Sequence, residues 1–110
     1  MSQLISPPKS VYCLGIGGVG VGTLAEYLTH RGWQVSGSDA ISNAITARLQ
    51  DMGATIFKEH LVEHLDGIDE VIHSGAVSLN HPVLRAAKEK NIPIFHRGKF
   101  LSKILSDSYS

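Results

Sequence analysis

The stretch "VYCLGIGGVGVGTLAEYL", Val11 to Leu28, decides the fold. A short apolar run gives way to Gly15, Gly17, Gly18, Gly20 and Gly22, and the glycines give way to a helix-like pattern. Val21, Leu24, Ala25 and Leu28 fall at i, i+3, i+4 and i+7, one face of a helix that Gly32 can close. The segment reads as strand, tight turn and helix. Within it "GIGGVG" fits G-x-G-x-x-G at Gly15, Gly17 and Gly20. In that pattern Gly15 permits the tight turn, Gly17 lets backbone approach a phosphate, and Gly20 lets helix and strand pack closely. The N–H groups from Ile16 through Gly18 and Val19 to Gly20 would then face an anion, helped by the helix dipole. The competing reading is a glycine-rich turn that merely joins strand to helix.

Beyond this stretch the alternation repeats. Strands are expected at Ser10–Leu14, Gln34–Ser38, Ala54–Lys58, Glu70–Ser74 and Ile92–His96. Ser42 is a candidate cap for a helix with Ile45, Leu49 and Met52 inward and Gly53 at its end. A weaker helical turn spans Leu61 to Leu65. Asn80 with Pro82 opens a further helix that buries Val83, Leu84 and Ala87. A last helix starts near Gly98, with Phe100, Leu101, Ile104 and Leu105 as its apolar side. Five strands alternating with helices predict an α/β, Rossmann-like, doubly wound sheet of parallel strands with helices on both faces.

Composition narrows the function. The 110 residues suit one domain, with 43% hydrophobic residues and a formal net charge of zero. No basic block points to nucleic acid, and no apolar run is long enough to insert in a membrane. The start, "MSQLISPPKS", lacks the regions of a secretory signal, so the cytoplasm is the expected compartment. The single Cys13 lies inside the first apolar run and reads as a small core residue.

In an open parallel sheet, ligands bind beyond the carboxyl ends of the strands. After the second strand come Ser38 and Asp39, and a carboxylate there can accept from ribose hydroxyls or cap the following turn. An Asp at this place would also repel a 2′-phosphate. After the fourth strand comes "HSGAV", where His73, Ser74, Gly75, Ala76 and Val77 leave room for a ligand or form a simple loop. After the fifth, Arg97 is a candidate for an anion contact, a solvated charge being the alternative. "HLVEH", His60 to His64, matches H-x-x-E-H with Glu63 as a base, but no third ligand segment accompanies it and no metal is expected. Neither G-x-S-x-G nor G-x-x-x-x-G-K-[ST] is present, so no catalytic residue is expected.

Taken in order, "GIGGVGVGTLAEYL", "VSGSD", "TARL" from Thr46, Gly53-Ala54, "SGAV" and "NHPVLRAAKEKNIPIFHRGKFLSKIL" resemble the N-terminal domain of the Mur ligases, from about Val11 to Leu105. These are ATP-dependent enzymes that build the peptidoglycan stem peptide. The likeness is strongest to the branch that joins L-alanine to UDP-N-acetylmuramate. The resemblance implies that residues 15–20 meet the diphosphate of UDP-N-acetylmuramate. It implies that Asp39 and the segment His73 to Val77 lie near the uridine.

It further implies a parent reaction in which ATP activates the muramate carboxylate as an acyl phosphate, which the L-alanine amine attacks. ATP and magnesium would belong to a central domain, followed by a C-terminal domain. Residues 1–9 would be a flexible lead-in, 10–106 the UDP-sugar domain, and 107–110 a tail toward that absent ATP-binding domain. Such a fragment would not catalyse alone. Glu59 stands before His60 where the family commonly has glycine, so the resemblance does not carry His60 over as a ligand contact. Two alternatives remain: a nicotinamide-binding domain of a dehydrogenase or sensor, and the related ligase that recycles muropeptides.

Overall fold

A computed structural model describes residues 9–108, with side chains to Ile104. Most of the expected lead-in, part of the expected tail and the Leu105 side chain lie outside the described residues.

Ten elements follow one another: β1 (Ser10–Leu14), α1 (Val19–His30), β2 (Gln34–Ser38), α2 (Ala44–Asp51), β3 (Thr55–Phe57), a 3-10 turn (Val62–Leu65), β4 (Glu70–His73), α3 (Pro82–Glu89), β5 (Ile94–His96) and α4 (Arg97–Ser108). The sheet is fully parallel in the order β3-β2-β1-β4-β5. The chain therefore winds outward from β1 to β3, then crosses back to β4 beside β1. Right-handed crossovers put helices from the two directions on opposite faces. This is the expected doubly wound, Rossmann-like architecture, and its switch point lies between β1 and β4.

Alternation along β1 feeds both faces. Val11 and Cys13 join Leu24, Ala25, Leu28, Leu49 and Phe100 in the core beneath α1, α2 and α4. Tyr12 and Leu14 join Leu65, Val71, Val83, Leu84 and Ala87 beneath α3 and the 3-10 turn. All five residues of β1 are buried, as a central parallel strand requires. Burial pushes the Cys13 thiol up to about 12, so it packs as an inert hydrophobe.

β1 and β2 have the expected bounds, while β3, β4 and β5 are shorter than expected. Two caps differ. Asn43, not Ser42, caps α2: its side chain accepts from the Thr46 N–H while the Thr46 hydroxyl accepts from the Asn43 N–H. Thr46 is thereby buried, whereas Ile45 and Met52 are only partly so. His81, not Asn80, caps α3, its Nδ1 accepting from the Val83 N–H at 3.1 Å. α4 begins at Arg97 rather than Gly98, and Leu101, expected inward, is exposed.

The start of β4 is tied down electrostatically. Glu70 is buried and receives Lys9 at 2.8 Å and Lys103 at 3.3 Å, so α4 is clamped at the end of the sheet away from the glycine loop. A buried carboxylate left unpaired would be strongly destabilising, and two partners remove that penalty.

Candidate functional site

The loop between β1 and α1 is built by its neighbours. Gly15 has φ +82°, the left-handed conformation that glycine adopts freely. Its N–H and that of Ile16 both donate to the Ser38 carbonyl, at 2.9 and 3.1 Å. The Gly17 N–H donates to Asp39 Oδ2 at 2.9 Å, and the Gly18 N–H to the Gly15 carbonyl at 3.1 Å. Asn43 closes the loop from outside, donating from Nδ2 to the Gly17 carbonyl at 3.0 Å.

These bonds correct the expectation that every amide from Ile16 to Gly20 faces an anion. Those of Ile16, Gly17 and Gly18 are already engaged. Gly18 caps α1 without any side-chain hydrogen bond, so the amides of Val19 and Gly20 open the helix toward solvent. The amides left for an anion are therefore those of the helix terminus itself. Ile16 is fully buried, and its side chain packs against Gly37.

The glycines also divide their work differently. A Cβ at Gly17 would stand 2.9 Å from Asp39 Oδ2 and 3.2 Å from the Thr46 methyl, so the close approach there is to protein. A Cβ at Gly20 would meet the Arg97 side chain, whose Cδ lies 2.6 Å from that point. Close packing of helix on loop falls instead to Gly22, where a Cβ would stand 2.9 Å from the Ile16 carbonyl and run into Ile45. Arg97 is thus brought from the start of α4 across the first turn of α1. A guanidinium beside free helix amides is a strong arrangement for a phosphate.

Asp39 stands at the end of β2, half-buried. Its Oδ1 accepts from the Ile41 N–H at 3.0 Å, so the turn-capping role is present, with lone pairs left on both oxygens. Ser38 departs from its expected role. It is fully buried, and its Oγ lies 2.6 Å from both the Tyr12 hydroxyl and His60 Nδ1. It therefore acts from behind the site.

His73 is also buried, donating from Nδ1 to the Ser74 carbonyl at 2.8 Å, with its ring edge-on to His96. Gly75 and Ala76 are exposed, while Ser74 and Val77 are half-buried. His60 and His64 do not share a helix face, because only a 3-10 turn forms there. His64 instead stacks on Phe57 at 3.7 Å. Among the described residues, no group of three His, Cys, Asp or Glu could hold a metal ion.

A cavity of about 300 Å³ opens at the switch point between the Asp39 turn and the loop after β4. Gly15, Asp39, His60, Ala76, Val77 and His81 are among its walls. His60 and His81 entered it from separate segments, and local sequence patterns do not join them. A larger apolar trough of about 700 Å³ runs between α1 and α4, with Val19, Tyr27, Arg97 and Leu101 on its walls. No helix among the described residues is long and apolar enough to cross a membrane.

Known proteins share these features. Residues 10–109 match the model of the Mur ligase family, catalytic domain. The chain is 37% identical over 102 residues to the UDP-N-acetylmuramate–L-alanine ligase of Buchnera aphidicola, covering 93% of this chain and 21% of that protein. It thus spans about a fifth of that relative's length. The crystal structure of UDP-N-acetylmuramate-alanine ligase MurC from Thermotoga maritima superposes with a TM-score of 0.83 at 28% identity, over 89% of this chain and 23% of that one. The murein peptide ligase Mpl of Psychrobacter arcticus gives 0.80 at 29% identity, over 86% and 20% respectively.

Proposed function

The chain belongs to the Mur ligase family, and from that membership we propose that it is the domain of an ATP-dependent ligase that holds the UDP part of UDP-N-acetylmuramate. The observation that carries the reading is the uncapped start of α1, with Arg97 laid across Gly20 and a cavity beside it at the switch point. The diphosphate binds to the amides of Val19 and Gly20 and to Arg97. Gly15, Gly17 and Gly18 hold the loop that presents those amides. The nucleoside lies toward Asp39 and the segment Ser74 to Val77.

No residue of this chain takes part in bond-making. Its contribution is remote binding energy: a firmly held UDP handle positions the muramate carboxylate where chemistry occurs. We assign ATP, magnesium and the amino-acid substrate to further domains of the parent, consistent with a relative more than four times this length. There ATP would form the acyl phosphate that the L-alanine amine attacks. L-alanine is preferred over a recycled muropeptide because the relative that matches 93% of the chain is the L-alanine ligase. The cytoplasm, which supplies nucleotide sugar and ATP, is the compartment this reading implies.

Titration of this chain with UDP-N-acetylmuramate, UDP and NAD, followed by amide NMR, tests it. UDP ligands are expected to shift Gly18, Gly20, Asp39 and Ser74. Arg97→Ala is expected to weaken UDP binding about tenfold, the value of a charge-assisted hydrogen bond. Shifts with NAD alone, or none at Gly18 and Gly20 with UDP, would overturn the assignment.

A further inference from the structure

Arg97 crosses from α4 to the first turn of α1 with nothing polar to hold its side chain. Among the described residues its guanidinium makes no hydrogen bond or ion pair. It lies against Gly20, where a Cβ would meet its Nε and stand 2.6 Å from its Cδ. A side chain placed without polar bonds takes its position from the backbone that carries it. That backbone is the first turn of α4, and the turn is intrinsically weak, because its second residue, Gly98, is a poor helix former. Arg97 and Lys99 on either side are exposed. Deeper in α4 the helix is secure, with Phe100 fully buried and Lys103 bonded to Glu70.

What secures the first turn is His96, the last residue of β5 and the one immediately before α4. Its Nδ1 accepts from the Gly98 N–H at 3.1 Å, the bond that an N-cap side chain makes to the second helical residue. The donor is a backbone amide, so Nδ1 can only be the acceptor. The ring is backed by its in-register neighbour on β4, His73, which meets it edge to face with centroids 5.7 Å apart. His73 is itself buried and tied to the Ser74 carbonyl at 2.8 Å. The loop after β4 also closes on the ring, since a Cβ at Gly75 would stand 3.0 Å from His96 Nε2. Packing thus keeps the imidazole in the cap.

We infer that His96 is a positioning residue for Arg97: by capping α4 it fixes the turn from which the guanidinium reaches the diphosphate. This inference rests on the reading of the chain as a UDP-binding domain and adds to it the residue that presents the arginine. His96 acts through Arg97 rather than on the ligand, because its Nδ1 is taken by Gly98 and its Nε2 faces Gly75. Without the cap, the Gly98 amide loses its acceptor and the first turn frays. Arg97 must then be ordered at the moment a phosphate arrives, and that cost is subtracted from affinity. Loss of a typical cap corresponds to about fivefold in the population of the ordered turn. A ligand without phosphate gains nothing from Arg97 and does not feel the change.

The test titrates this chain with UDP and with uridine, followed by amide NMR, with native shifts at Val71 and Phe100 as the check that each variant is folded. His96→Ala is expected to weaken UDP binding about fivefold and to leave uridine binding unchanged. His96→Asn restores a cap acceptor without the ring and is expected to recover the native UDP affinity. In an Arg97→Ala background, His96→Ala is expected to add no further loss, as two residues acting through one contact require. Native UDP affinity in His96→Ala would overturn the inference. So would an equal loss for uridine, a loss that persists without Arg97, or an Asn variant as weak as the Ala variant. Arg97→Ala with native UDP affinity would instead remove the diphosphate assignment, and this inference with it.

Discussion

The loop after β1 and the loop after β4 meet at the same edge of the sheet, yet they are held in opposite ways. The first is pinned from outside itself: Ser38, Asp39 and Asn43, all from the β2–α2 connection, hydrogen-bond to its backbone. The second, from Ser74 to His81, is held by local bonds, with Val77 donating to the Ser74 carbonyl and Asn80 and His81 to Ser78. Gly75, Ala76, Ser78, Leu79 and Asn80 are all exposed. A phosphate needs donors fixed in advance, since reorganising them would consume the binding energy they supply. A nucleoside wall has no such need and can close on its ligand. The difference therefore follows the division of labour proposed for the site.

The contrast can be broken most severely at Gly37. A Cβ there would collide with the Cys13 carbonyl and come within 2.9 Å of the Ile16 Cβ, the residue that anchors the first loop in the core. Backbone cannot yield as a flexible side chain does. Gly37→Ala is expected to lower stability by about 3 kcal/mol, read as a fall in the urea midpoint. A loss below about 1 kcal/mol would show that the first loop is not fixed through Ile16.

A finer comparison truncates one polar side chain on each side. Asn43→Ala removes the α2 capping box and the bond to the Gly17 carbonyl together, and should cost about 2 kcal/mol. Ser78→Ala removes only a local bond to an exposed N–H, and should stay within about 0.5 kcal/mol. Equal effects, measured by chemical denaturation, would erase the distinction between a pinned loop and a free one.

The same asymmetry explains what the sequence made legible. β1, β2 and the glycine turn were readable to the residue, because periodicity and glycine conformation are local properties. The helix faces of α1 and α3 were readable for the same reason. The caps were not: Ser42 and Asn43 are both good cap residues, and the choice falls to backbone angles set by the turn at Asp39. The N-x-x-T spacing of Asn43 and Thr46 was the available signal, a variant of the capping box. Which amides remain free was also hidden, because Ser38 and Asp39 reach the loop from the next strand. The pairing of His60 with His81 is wholly tertiary. It arises because the segment before the 3-10 turn and the start of α3 lie on the same face of the sheet.

The smallest effect lies in the second region and depends on pH. His81 is held below its ordinary pKa by burial and by His60, so as pH falls the unfolded chain binds the proton first. The stability contributed by neutral His81 is complete above the unfolded value, about 6.5, and is lost as pH falls toward the lowered folded value. Protonation also ends its service as a cap, because Nδ1 can no longer accept from the Val83 N–H. The native chain should therefore lose stability between about pH 7 and 5 more steeply than His81→Asn, whose amide caps at every pH. The difference between the two curves should stay under about 1 kcal/mol, the usual value of a side-chain cap. Parallel curves would mean that the cap does not depend on the Nδ1 lone pair.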